Sequence, residues 1–211
     1  MKDIPMFTTE FGIASLTLGQ IPYRETAYIQ VQTFCAGKLP ELIQECAGFC
    51  RAAGAERIFW TADDVEAQPH SSILQLRGEA RPDPSLIENL FPVTEQTAAH
   101  WRRLHNDRMA AVDHAHYLTA ADEKQLLTSD AYFIHRSGEL LGIGWLEDDC
   151  IMAIASVKPG AGERVLHTLM SLAPDRMLTL EVASTNAKAL ALYEKNGFVP
   201  IKTLKKWYAV Q

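Results

Sequence analysis

Residues 180–198 read Leu180-Glu181-Val182-Ala183-Ser184-Thr185-Asn186-Ala187-Lys188-Ala189-Leu190-Ala191-Leu192-Tyr193-Glu194-Lys195-Asn196-Gly197-Phe198. The stretch predicts a strand over 177–183 that holds Glu181 on the face opposite Leu180 and Val182. A helix over 186–195 follows, with Asn186 at its start and Gly197 where a helix ends. Phe198 then opens a closing strand that runs to 210. This is a strand–helix–strand step, and it sets how the preceding residues must be arranged.

Upstream of it, 131–136 and 140–146 predict a hairpin about Ser137-Gly138-Glu139. A β-rich run over 150–157 follows a turn at Glu147-Asp148-Asp149. The run ends at Lys158-Pro159-Gly160-Ala161-Gly162, and a helix over 163–172 follows. Before the hairpin stand a strand within 86–93, a helix over 95–112 capped by Thr94, and a short helix over 120–127. In the first half, 15–20 and 27–33 predict a strand pair. Leu42, Ile43, Cys46, Phe49 and Cys50 recur at three- and four-residue steps and predict a helix to about residue 53, ending at Gly54. Strands at 57–61 and 73–76 complete that half. Pro82-Asp83-Pro84 is a connector, so two parts are expected, 1–84 and 85–211. The class is mixed α/β, with an antiparallel meander feeding a parallel step. The first half repeats the order strand pair, helix, strand, which suggests a faint duplication.

The chain has 211 residues, 47% hydrophobic and 22% charged, with a formal net charge of −6. That is enough for a substantial core and gives no electrostatic reason to hold nucleic acid. No basic start leads into an apolar core at the N-terminus, and no apolar run approaches the roughly 18 residues of a membrane span. A cytoplasmic protein is expected, with no membrane partner, as monomer or homodimer. Cys35, Cys46, Cys50 and Cys150 lack the partners of a metal finger and read as buried reduced thiols.

Leu180, Glu181, Val182, Asn186, Ala189, Leu192, Tyr193, Glu194, Lys195, Gly197 and Phe198 together resemble the signature of the GNAT (GCN5-related) N-acetyltransferases, and the phrase is similar to that of protein N-terminal alanine acetyltransferases. The resemblance implies a central mixed sheet flanked by helices. It also implies acetyl-CoA as co-substrate, a primary amine of a small molecule or peptide as acceptor, and no metal. Tyr193 matches the tyrosine that donates a proton to the CoA sulfur; a core tyrosine is the plain alternative. Asn186 matches the residue that bonds the pantetheine arm; a helix cap is its alternative. Glu181 matches a base acting through water; a surface glutamate is its alternative.

The loop Val157, Gly160, Ala161, Gly162, Glu163 and Arg164 stands where the family binds pyrophosphate. Glycines and a helix N-terminus suit that role. The family's two spacer residues are missing after Pro159, and Arg164 stands where a small residue is usual. A catalytically silent acyl-CoA sensor is therefore the second reading. The acceptor side is expected from Arg108, Asp113, His114, His116 and Tyr117. As metal ligands, two histidines at i, i+2 lack a third partner. The first half, with only Gly37 before its helix, reads as a degenerate GNAT-like half domain without a CoA signature; an unrelated α/β cap is the alternative.

Overall fold

The computed structural model describes residues 5–63 and 65–210. The chain divides into two compact units, Met1–Ser72 with Lys205–Gln211, and Ile73–Leu204. The division falls before the expected connector at Pro84, and the last residues return to the first unit.

The first unit holds strands β1 (Met6–Thr8), β2 (Gly12–Thr17), β3 (Thr26–Phe34) and β4 (Arg57–Thr61), with helices α1 (Ile21–Arg24) and α2 (Leu39–Ala52). β2 pairs antiparallel with β1 and β3. β3 pairs parallel with β4 through the α2 crossover, in register from Thr26↔Arg57 to Gln30↔Thr61. α2 buries Leu42, Ile43, Cys46, Ala47 and Cys50 against Ala14, Leu16, Ala27 and Ile29. Pro40 in its first turn and Gly54 beyond its end (φ +97) mark its limits as expected. The short β1 and α1 were not expected. Three residues are too few to show alternation, and Pro22 hides a single helical turn.

The second unit holds β5 (Ser71–Glu79), a 3-10 turn at Pro84–Leu86, β6 (Asn89–Pro92), α3 (Ala98–Met109), α4 (Glu123–Thr128), β7 (Asp130–Arg136), β8 (Glu139–Glu147), β9 (Cys150–Ser156), α5 (Gly162–Met170), β10 (Met177–Ala183) and α6 (Ala187–Lys195). β11 (Val199–Ala209) begins in this unit and ends in the first. The sheet order is β5-β10-β9-β8-β7-β6. Only β9 and β10 run parallel; the other pairs are antiparallel. The result is a mixed α/β architecture whose mixed sheet is flanked by helices. Helix α3 begins later than expected. Thr94 does not cap it; its carbonyl accepts from the Thr97 and Ala98 N–H groups in a preceding turn. α4 likewise starts after Asp122, whose carboxylate is taken by the N–H and hydroxyl of Thr119.

β8 is buried along most of its length. Ile143 and Trp145 join the core with Trp101, Leu118 and Leu126, while Gly142 and Gly144 alternate with them toward α5. A Cβ at Gly142 would stand 2.6 Å from Val165 Cγ2, and one at Gly144 would stand 2.5 Å from Leu169 Cδ2. The two glycines let one face of α5 lie on the backbone of β8.

Cys46 and Cys50 are buried. Burial pushes the Cys46 thiol up to about 11. Cys35, expected to be buried, is exposed, because it lies in the open turn between β3 and α2. Two measurements check this arrangement. Gly144→Ala should lower stability by about 1–3 kcal/mol in chemical denaturation, since the added methyl forces Leu169 aside. A thiol reagent at neutral pH should label Cys35 rapidly and leave Cys46 and Cys50 unlabelled until the protein is unfolded.

Candidate active site

β9 and β10 start as neighbours and then part. Among the described residues their ladder consists of Thr179↔Cys150 and Leu180↔Ile151. Beyond that point each strand keeps its outer partner, β8 for β9 and β5 for β10. A cavity of about 310 Å³ occupies the gap, lined by Met152, Ala153 and Ile154 on one edge and by Glu181, Val182 and Ala183 on the other. The facing backbone groups of the two edges have no strand between them. A linear molecule carrying amides can pair with such edges.

Helix α6 closes one wall with Asn186, Ala189 and Tyr193. The Asn186 side-chain Oδ1 accepts from the Ala189 N–H (3.2 Å), so this residue caps the helix and lines the cavity at once. Tyr193 is 6% exposed and packs its ring against Phe198. Burial holds its phenol well above the ordinary range, so it keeps its proton. Among the described residues no side chain or backbone group is hydrogen bonded to its hydroxyl. Glu181 is exposed, while Leu180 and Val182 are buried, as the alternation predicts.

The opposite wall comes from α3 and the loop after it: His105, Met109, Val112, Asp113, His114, Ala115 and His116. Two side chains of α3 hold this loop. The Asn106 amide donates to the Leu118 carbonyl and accepts from its N–H, both at 2.9 Å. His105 Nε2 donates to the His116 carbonyl at 3.2 Å, which places its proton on Nε2. The His105 ring stacks on Trp101 (5.7 Å, 6°). His114 adopts φ +59, a left-handed conformation that costs a residue with a Cβ about 1–2 kcal/mol; it turns the loop so that residues 112–116 all reach the cavity. The Thr185 hydroxyl donates to Asp113 Oδ2 (3.1 Å) and joins this loop to the turn entering α6.

The structure thus brings together Glu181, Asn186, Tyr193, Asp113, His114 and His116. Arg108 is not in the cavity wall; its Nη2 donates to the Val157 carbonyl at 2.8 Å, tying α3 to the end of β9. Tyr117 lies one residue outside the lining. Residues 158–161 form a β-turn, with Pro159 second and Gly160 third (φ +79), closed by the Ala161 N–H on the Lys158 carbonyl (3.2 Å). α5 starts directly behind it at Gly162, so the short loop is a single turn. The first-turn N–H groups there have no acceptor within the helix and suit a pyrophosphate. A Cβ at Gly162 would lie 3.4 Å from Leu192, next to Tyr193. Arg164 does not serve this end. It pairs with Glu88 (2.5 Å), because the helix turn carries it to the side facing the 3-10 segment. Glu163 pairs with Lys195 (2.8 Å). Among the described residues no group of three or more acidic, His or Cys side chains is arranged to hold a metal. No described helix is long and apolar enough to cross a membrane.

His105, a polar side chain of the cavity wall, was not expected from the sequence. Its signal was its place four residues after Trp101 on the buried side of α3.

No family profile matches the sequence, and no curated protein matches it in sequence. Solved structures do match the fold. A functionally unknown conserved protein from Staphylococcus epidermidis has a TM-score of 0.57 at 11% identity, over 99% of this chain and 94% of its own. A GCN5-related N-acetyltransferase from Anabaena variabilis has a TM-score of 0.60 at 12% identity, over 98% of this chain and 58% of its own. One from Sphaerobacter thermophilus has a TM-score of 0.51 at 10% identity, over 93% of this chain and 75% of its own. The fold of this chain is that of the GCN5-related N-acetyltransferases.

The buried phenol has a measurable consequence. Unfolded, Tyr193 ionises near its ordinary value of 10.0; folded, it stays protonated to higher pH. Unfolding therefore releases its proton above about pH 10, and stability intact below that value falls as pH rises. Tyr193→Phe should remove this part of the loss. Urea midpoints at about pH 8 and about pH 10.5 would then lie closer together in the variant than in the parent.

Proposed function

We propose that the protein is an N-acetyltransferase that moves an acetyl group from acetyl-CoA to a primary amine. The observation that carries this reading is the cavity between the parted strands β9 and β10, with a buried, protonated Tyr193 in its wall. The edges of β9 and β10 and the Asn186 side chain bind the amides of the pantetheine arm. The first turn of α5, behind the turn at Pro159-Gly160, receives the pyrophosphate. The thioester carbonyl then lies between Tyr193 and Glu181. Glu181, through water, takes a proton from the acceptor ammonium. The free amine forms a C–N bond to the carbonyl carbon, the C–S bond breaks, the sulfur takes up the Tyr193 proton, and the nitrogen gives up its second proton, which restores that of Tyr193. The products are an acetamide and CoA.

The second reading, a silent acyl-CoA sensor, is favoured by one observation. The single turn over 158–161 contributes fewer backbone donors than the longer loop of the resembled family, and Glu163 places a carboxylate in the first turn of α5. The same proposal gives the first unit a related origin. There β3, α2 and β4 follow a hairpin just as β9, α5 and β10 do, but the β3–β4 ladder continues through Gln30↔Thr61 and leaves no gap for a pantetheine arm.

Calorimetry with acetyl-CoA and an assay of CoA release across an amine panel separate the readings. Binding with release supports the enzyme, and binding without release across the panel supports the sensor. No binding at millimolar acetyl-CoA rejects both. Within the first reading, Tyr193→Phe should lower kcat on the order of 100-fold while acetyl-CoA binding is kept. An unchanged kcat would remove Tyr193 from the proton path.

A further inference from the structure

The charges around the cavity are one-sided. Among the described residues its charged lining side chains are Asp113 and Glu181, and no Lys or Arg lines it. On α3 the Arg108 guanidinium lies outside the lining and donates to the Val157 carbonyl. On the α3 side the lining adds Met109, Val112 and Ala115, apolar and in part flexible, with imidazoles that add hydrogen-bonding groups. A site built for an amino acid or any amine bearing an anion needs a cationic partner for that anion. This one instead sets two carboxylates, one on β10 and one on the loop after α3, around an apolar interior.

Resting on the acetyltransferase reading above, we propose that the acceptor is a small alkylamine that carries no carboxylate, its ammonium drawn by Glu181, its alkyl stem against Met109 and Val112, and a second cationic end, where it has one, set toward Asp113. The carboxylates attract the cation and repel an anionic tail, so the discrimination comes as much from rejection as from attraction. The Thr185–Asp113 hydrogen bond joins the loop wall to the α6 wall. That tie favours a small molecule over a polypeptide, which would need an open groove. The transfer itself is unchanged: the alkylammonium nitrogen loses one proton to Glu181 through water, gains the acetyl group and gives up a second proton to replace the one that Tyr193 donates to sulfur, and CoA leaves as the thiol.

The test uses the full chain with three probes of nearly equal length: butylamine, 1,4-diaminobutane and 4-aminobutanoate. CoA release is followed at about pH 8, where ordinary imidazoles are neutral. The expected result is a kcat/KM for 4-aminobutanoate at least about tenfold below that for butylamine, with 1,4-diaminobutane equal to or above butylamine. Asp113→Asn should narrow the gap by about threefold or more, through KM rather than kcat. Equal kcat/KM for the three probes, a preference for 4-aminobutanoate, or a peptide N-terminus outperforming all three would overturn the inference.

Two binding measurements keep its failure apart from that of the acetyltransferase reading. Calorimetry with acetyl-CoA alone tests the latter. Calorimetry with each amine alone tests the former, with tighter binding of butylamine than of 4-aminobutanoate expected. The inference fails if neither amine binds and neither is turned over, even when acetyl-CoA binds.

Discussion

Two strands that leave each other after two paired residues create a debt of backbone hydrogen bonds, and the second unit is organised around that separation. β9 and β10 each remain anchored on the far side, so neither can close the gap by sliding. α5, the crossover between them, is held to the sheet by Val165 and Leu169 lying on the two glycines of β8. With both strands and their connecting helix fixed, the gap is a property of the scaffold and does not wait for a ligand to open it. Preformed sites of this kind bind without a large ordering cost.

The walls of the gap are held by side chains that imitate backbone. Asn106 gives and takes one hydrogen bond with Leu118, as a neighbouring strand residue would, and His105 adds a bond to the carbonyl of His116. A loop carrying three of the cavity's polar side chains is therefore fastened to the most deeply packed helix of its core, whose Trp101 is fully buried. On the other wall, Asn186 performs two tasks with one carboxamide: its oxygen caps α6 and its position faces the cavity. The alternatives that the sequence leaves open for Asn186 and Tyr193, structural residue or site residue, are not exclusive. Each residue has a structural task and also lines the cavity.

What could be read in advance follows from how local the signal is. β10 and α6 are bounded by a clear alternation, a capping Asn and a Gly at φ +83, and their ends were legible almost to the residue. The hairpin at Ser137-Gly138 was equally clear, since both residues take the positive φ that such turns require. Signals that depend on distant partners were not legible. Arg164 sits in a pyrophosphate-like loop by sequence, yet Glu88, far upstream, claims it. The start of α3 was displaced by a turn in which the Thr94 carbonyl, rather than its side chain, takes the bonds. The last strand's membership in two units has no local signature at all.

That strand also bears on how the protein folds. Trp207 and Tyr208 are buried, Tyr208 stacking on Trp60 (4.5 Å) and Trp207 on Tyr28 (4.8 Å). These rings pack in the first unit, although the sequence of the second unit lies between them and their partners. The first unit therefore closes only through contacts between residues far apart in sequence, and such contacts form more slowly than local ones. The second unit is contiguous in sequence and carries no such requirement.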